Sequence, residues 1–120
     1  MSIRVLVVDD SEDMREIISE LIAFENDMSV AAQVDSEQAA LTVLETDVPD
    51  VALIDLTLKG GGSGVDLIRK IRSSYPKVRC ILFSAYDDEQ LRKMSAAAGA
   101  AGYVNKMRLP EDLPDMIRGT

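Results

Sequence analysis

Five short apolar runs recur at a nearly even spacing along this 120-residue chain, and that recurrence is the strongest constraint on its fold. Strand candidates begin near residues 3, 28, 51, 79 and 102, so successive starts lie 25, 23, 28 and 23 residues apart. Amphipathic helix patterns fill the gaps. In the first, Met14, Ile17, Ile18, Leu21 and Ile22 share a face, with Ser11 as N-cap and Glu12 and Asp13 in the first turn. The second places Ala40, Val43 and Leu44 together after Ser36, and the third has Leu67, Ile68 and Ile71 after the glycine-rich stretch 60–64. The fourth follows Asp87 with Leu91, Met94 and Ala98, and Gly99 suits its C-terminal cap. Asp87, Asp88 and Glu89 read as an N-terminal charge cluster of that helix, and the scattered methionines as core filler. A last short helix is expected from about Pro110 to Arg118, carrying Leu113, Met116 and Ile117; Pro114 is tolerable there only in the first turn. Strict alternation of strand and helix predicts an α/β fold, a (βα)5 doubly wound parallel five-stranded sheet with helices on both faces.

Composition narrows the function classes. A chain of this length forms one domain, residues 1–120, and buries about two-thirds of its unfolded surface. Hydrophobic residues make up 47% of it, as in ordinary globular proteins. No apolar run approaches the ~20 residues that span a bilayer, and the N-terminus lacks the pattern of a signal peptide. A cytoplasmic protein is expected. Cys80 is the single cysteine, inside an apolar run, so it reads as a small core residue. Histidine is absent, which excludes Ser-His-Asp and Cys-His catalysis, His-ligated zinc and a phosphohistidine on this chain. A net charge of −8 argues against nucleic acid as a direct partner and fits a cation or a basic surface.

Chemistry-bearing residues gather where the strands end. Asp9 and Asp10 follow the run Ile3–Val8, Asp55 follows Val51–Ile54, and Ser84 follows Cys80–Phe83. Lys106 follows Gly102–Val104 with one residue between. Open parallel sheets bind ligands outside the C-terminal ends of their strands, so these residues meet if the first and third strands are neighbours. Two like charges ~4 Å apart repel by about 4 kcal/mol at an effective dielectric of ~20, so three carboxylates either raise a pKa or recruit a cation. With oxygen ligands alone, the fitting cation is hard and divalent: Mg²⁺, or Mn²⁺.

The motifs match a family. Val-Leu-Val-Val-Asp-Asp at 5–10, Pro-Asp-Val-Ala-Leu-Ile-Asp-Leu at 49–56, Phe-Ser-Ala at 83–85 and Ala-Gly-Ala-Ala-Gly-Tyr-Val-Asn-Lys at 98–106 stand in order. Over essentially its whole length the chain resembles the receiver domain of bacterial two-component response regulators. That resemblance implies the flavodoxin-like strand order 2-1-3-4-5. It implies that Asp55 accepts a phosphoryl group from a phosphohistidine on a separate sensor histidine kinase or histidine phosphotransfer protein. Asp10 would bind Mg²⁺ directly and Asp9 mainly through water, with Asp55 and the Thr57 backbone carbonyl as further ligands. Lys106 would pair with Asp55 and then with the phosphoryl oxygens. Ser84 and the Ala85 backbone N–H would bind the phosphoryl group, and Tyr103 would follow Ser84 inward. Thr57 and Tyr86 would tune dephosphorylation, with Tyr86 shielding the phosphoryl group. The output surface would form around Ser84, the fourth helix, Tyr103 and the last helix. Homodimerisation would use the fourth helix, fifth strand and fifth helix, and the output would pass to a downstream partner or an attached effector domain, such as a transcription regulator.

Two departures from the family pattern stand out. The loop after Asp55 holds Leu58 and Lys59 where a Met-Pro pair is usual, then Gly60, Gly61, Gly62, Ser63 and Gly64, read as a flexible segment. Met107 replaces a proline that often follows the lysine through a cis peptide, which bears on the geometry at Lys106. Two alternatives keep the same fold: a phosphorylation-independent pseudo-receiver module, and a small aspartate-nucleophile phosphatase. The second is disfavoured because Asp55 is followed by Leu56 and Thr57 rather than by an Asp-x-Asp pattern.

Overall fold

A computed structural model describes residues 2–86 and 88–119. Strands and helices alternate as β1 (Ile3–Val8), α1 (Glu12–Ala23), β2 (Met28–Val34), α2 (Glu37–Thr46), β3 (Val51–Asp55) and α3 (Gly64–Ser74). They continue as β4 (Arg79–Ser84), α4 (Glu89–Ala98), β5 (Gly102–Asn105), a 3₁₀ turn (Lys106–Arg108) and α5 (Leu109–Arg118). The strands form one parallel sheet in the order β2-β1-β3-β4-β5.

Every residue of β3 is buried, because the sheet is covered on both faces. Side chains alternate between two cores. Val5, Val7, Val51, Leu53, Ile81 and Phe83 pack with Ile18 and Ile22 of α1 and Leu109, Leu113 and Ile117 of α5. Leu6, Val8, Ala52, Ile54 and Leu82 pack with residues of α2 and α3 and with Ala98 of α4.

The expected caps form at Ser11, whose hydroxyl oxygen accepts from Met14 N, and at Ser36, which accepts from Ala39 N. Gly99 ends α4 at φ 105°, the left-handed region glycine enters without penalty. For α4 the cap is Asp88, accepting from Gln90 N at 2.8 Å; Asp87 lies outside the described residues.

Several expectations change. Ile17 is not core: it is 47% exposed, because the part of α1 facing the sheet is centred on Ile18 and Ile22. Met94 and Met107 are exposed too, so the methionines are not uniformly core filler. α5 begins at Leu109, with Pro110 in the first turn, and Pro114 lies inside the helix. Pro114 forgoes one helical hydrogen bond, and the helix persists because Leu109, Leu113 and Ile117 are buried along one side. Arg79 also donates to the carbonyls of Ile117 at 2.6 Å and Met116 at 2.7 Å, satisfying the C-terminal end of α5.

Candidate functional site

Strand register assembles the site. Val8 pairs with Ile54, so the next residues, Asp9 and Asp55, leave the sheet side by side. Asp55 pairs with Phe83, and Ser84 pairs with Asn105, the residue before Lys106. β3 and β4 each run one residue further than the apolar runs suggest, so Asp55 and Ser84 are the last strand residues rather than the first loop residues.

One carboxylate oxygen from each of Asp9, Asp10 and Asp55 lies within 4.8 Å of the others. Asp9 is fully buried and Asp55 is 7% exposed, whereas Asp10 is exposed. Asp9 Oδ1 accepts from Ser11 N at 2.8 Å. Asp9 Oδ2 is buried with no hydrogen-bond donor among the described residues; Lys106 Nζ, at 3.5 Å, attracts it electrostatically without bonding it. Lys106 Nζ sits 3.2 Å from Asp55 Oδ1 and 5.0 Å from the centre of the Phe83 ring. Burial and the charge of Asp9 push the Asp55 carboxyl up to about 6 against the opposing pull of Lys106. Asp9 is also raised, chiefly by burial, although the Ser11 amide and Lys106 favour its charged form. An orphaned buried oxygen beside two further carboxylates is the donor set that suits a hard divalent cation.

The peptide between Lys106 and Met107 is not cis, nor is any other among the described residues. The lysine reaches Asp55 with Met107 in the proline's place, while Met107 itself points outward at 82% exposure. Ser84 is buried, and its Oγ accepts from Tyr86 N at 3.1 Å; Ala85 is exposed beside it. Tyr103 is turned inward at 8% exposure, and its hydroxyl donates to the Tyr86 carbonyl. Tyr86 is 69% exposed, so its backbone, not its ring, joins these neighbours. Thr57 is exposed and bridges to Ser63 across the glycine-rich loop.

That loop is closed into a turn. Leu58 N donates to Gly62 O at 2.9 Å, Gly60 and Gly61 take φ of 82° and 84°, and Lys59 N donates to Asp35 O at 3.3 Å. Two residues outside the motifs also shape the site. Arg15 Nη1 donates to the Asp9 carbonyl at 2.7 Å, six residues along the chain. At Gly64, a Cβ would stand 2.1 Å from the Asp55 carbonyl oxygen, so only glycine lets α3 start this close to the end of β3. The glycine in the sequence was the sole signal for it, and nothing in the pattern singled out Arg15.

Among the described residues no helix is long and apolar enough to cross a membrane. The family model described as the response regulator receiver domain matches residues 5–118. The chain is 31% identical to the DNA-binding transcriptional activator DevR/DosR of Mycobacterium tuberculosis, over 87% of this chain and 48% of that protein. It is 33% identical to the oxygen regulatory protein NreC of Staphylococcus aureus, over 96% of this chain and 53% of that protein. The chain thus spans about half the length of these curated relatives. A two-component response regulator of the LuxR family from an Aurantimonas species superposes with a TM-score of 0.91 at 29% identity, covering 98% of this chain and 84% of that one. With the matched motifs, the 2-1-3-4-5 sheet and the acidic cluster at its edge, these likenesses place the chain in the receiver-domain family of two-component response regulators.

Proposed function

We propose that this receiver takes a phosphoryl group onto Asp55 from the phosphohistidine of a partner kinase or phosphotransfer protein in the cytoplasm. The observation that carries the reading is Lys106, whose ammonium stands between the Asp55 and Asp9 carboxylates at 3.2 and 3.5 Å. Asp55 Oδ1 is held there, which leaves the other carboxylate oxygen to attack phosphorus as the P–N bond of the donor breaks and its electrons return to the imidazole. These 120 residues contain no histidine, so the phosphohistidine that donates lies outside them. Asp9, Asp10 and Asp55, with the Thr57 carbonyl, would hold Mg²⁺. When bound, that ion neutralises charge on the transferring oxygens. Lys106 then follows the charge from carboxylate to phosphoryl oxygens, and the Ser84 hydroxyl and Ala85 amide donate to them. These contacts exist only in the phosphorylated state, which is what lets phosphorylation bias a two-state surface. Tyr103, α4 and α5 form that output surface, offered to a downstream partner, an attached effector domain or a second copy. Thr57, two residues after Asp55, and Tyr86, two after Ser84, would set the lifetime of the phosphoryl group.

Incubation with Mg²⁺ and a small acyl phosphate, followed by intact-mass spectrometry, tests the reading. A stoichiometric phosphate adduct that Asp55→Ala abolishes supports it, and slower decay in wild type than in Tyr86→Ala supports the shielding role. A chain that forms no adduct is a phosphorylation-independent module, and turnover without an adduct marks a hydrolase.

A further inference from the structure

Tyr103 lies outside the acidic cluster, yet a continuous set of contacts joins it to Ser84. Its hydroxyl donates to the Tyr86 carbonyl, and the Tyr86 amide donates to Ser84 Oγ. Because Ser84 Oγ accepts there, its own proton is left to donate elsewhere. The opposite side of this arrangement is held from α4. Arg92 Cζ lies 4.6 Å from the centroid of the Tyr103 ring. Arg92 N donates to the carbonyl of the N-cap residue Asp88 at 3.0 Å, so Arg92 belongs to the first turn of α4, just after the segment that carries Tyr86. Arg92 is exposed and the ring beneath it is buried, so the guanidinium covers the ring on its outer side. Tyr103 is thus gripped at both ends, by a cation over its face and a carbonyl at its hydroxyl.

We infer that Arg92 is a positioning residue for the phosphoryl response: it holds Tyr103 inward before a phosphoryl group arrives and keeps the Tyr86 peptide and Ser84 hydroxyl set to receive one. The inference rests on Asp55 being the acceptor. A ligand that needs one arrangement binds with an apparent affinity scaled by the fraction of chains already in it. The attraction of a guanidinium for an aromatic face raises that fraction without touching the acidic cluster. Its removal leaves Tyr103 to one hydrogen bond and to its packing in the buried cluster with Leu82 and Ala98, and the competent fraction falls.

Beryllofluoride, a tetrahedral phosphoryl mimic, tests this in wild type, Arg92→Met and Arg92→Lys by NMR titration with saturating Mg²⁺. Methionine keeps the apolar stem and removes the charge; lysine keeps a cation. The expected result is beryllofluoride binding about fivefold weaker in Arg92→Met, the size such a contact supports, a smaller loss in Arg92→Lys, which keeps the cation but not the planar guanidinium, and unchanged affinity for Mg²⁺ alone. In the metal-free state, nuclear Overhauser contacts between the Tyr103 ring and Tyr86 weaken in Arg92→Met. Wild-type beryllofluoride affinity with those contacts intact overturns the inference, as does a matching loss of Mg²⁺ affinity. If wild type itself ignores beryllofluoride, the acceptor reading fails instead, and the metal-free ring contacts alone decide whether Arg92 holds Tyr103.

Discussion

Asp55 is a carboxylate placed where its charge is costly, and the cost is measurable. Burial first, then the charge of Asp9, raise it from 3.8 to about 6. The folded chain therefore holds this proton more tightly than the unfolded chain does. That contribution to stability is complete below about pH 4 and is lost as the pH rises through about 6. Other carboxylates oppose the trend: Asp27 beside Arg118 and Asp47 beside Arg4 are held below their usual range. The effect of Asp55 is isolated by comparison with Asp55→Asn, which keeps the shape and removes the charge. In the absence of divalent cations, Asp55→Asn should match wild type near pH 4 and exceed it by on the order of 2 kcal/mol at pH 7. Urea unfolding at a series of pH values checks this, and a gap that does not widen with pH contradicts it. Added Mg²⁺ should narrow the gap, because a ligand that binds the folded state stabilises most the chain that binds it best.

The elements that carry the site were legible where their signals are local. Ser11 and Ser36 sit just before apolar helical stripes, and both cap through their own hydroxyls. Asp9, Asp55 and Ser84 were legible as polar residues that directly follow buried apolar runs, and Lys106 as a charge one residue further on from another such run. The β3–α3 connection was not legible, because its constraint comes from tertiary approach. The glycine stretch reads as slack, yet Gly64 is fixed against the Asp55 carbonyl, and its N–H donates to Leu56 O at 2.7 Å. Two substitutions in the same loop should therefore part company. Gly64→Ala must displace α3 or the backbone of Asp55, and should cost about 3 kcal/mol. Gly62→Ala meets only the Cβ atoms of Leu58 at 3.5 Å and Glu37 at 3.8 Å, which is ordinary contact, and should stay within about 0.5 kcal/mol of wild type. Chemical denaturation of both variants decides between a packed joint and a slack one; equal stability refutes the joint.

At the scale of the molecule, the alternation of strands and helices is readable from the spacing, because only a parallel sheet joins five such units compactly. Which arginines matter is not readable: Arg15, Arg79, Arg92 and Arg118 look alike in the sequence, and only the fold shows which carbonyl, carboxylate or ring each meets. The sheet also divides the core while binding its halves together. Leu53 and Ile54 are consecutive and fully buried, but Leu53 belongs to the layer under α1 and α5 and Ile54 to the layer under α2, α3 and α4. Each truncation to alanine leaves a cavity in one layer, for about 2–5 kcal/mol apiece. Neighbours in sequence usually couple, but these two share no layer, so their costs should add to within about 0.5 kcal/mol as far as the double variant stays folded. Both layers hang on the same five strands, so each single variant should still unfold in one transition, seen identically by far-ultraviolet circular dichroism and tyrosine fluorescence. Two separated transitions, or a strong departure from additivity, would mean that the layers are distinct units or that they communicate through the strand between them.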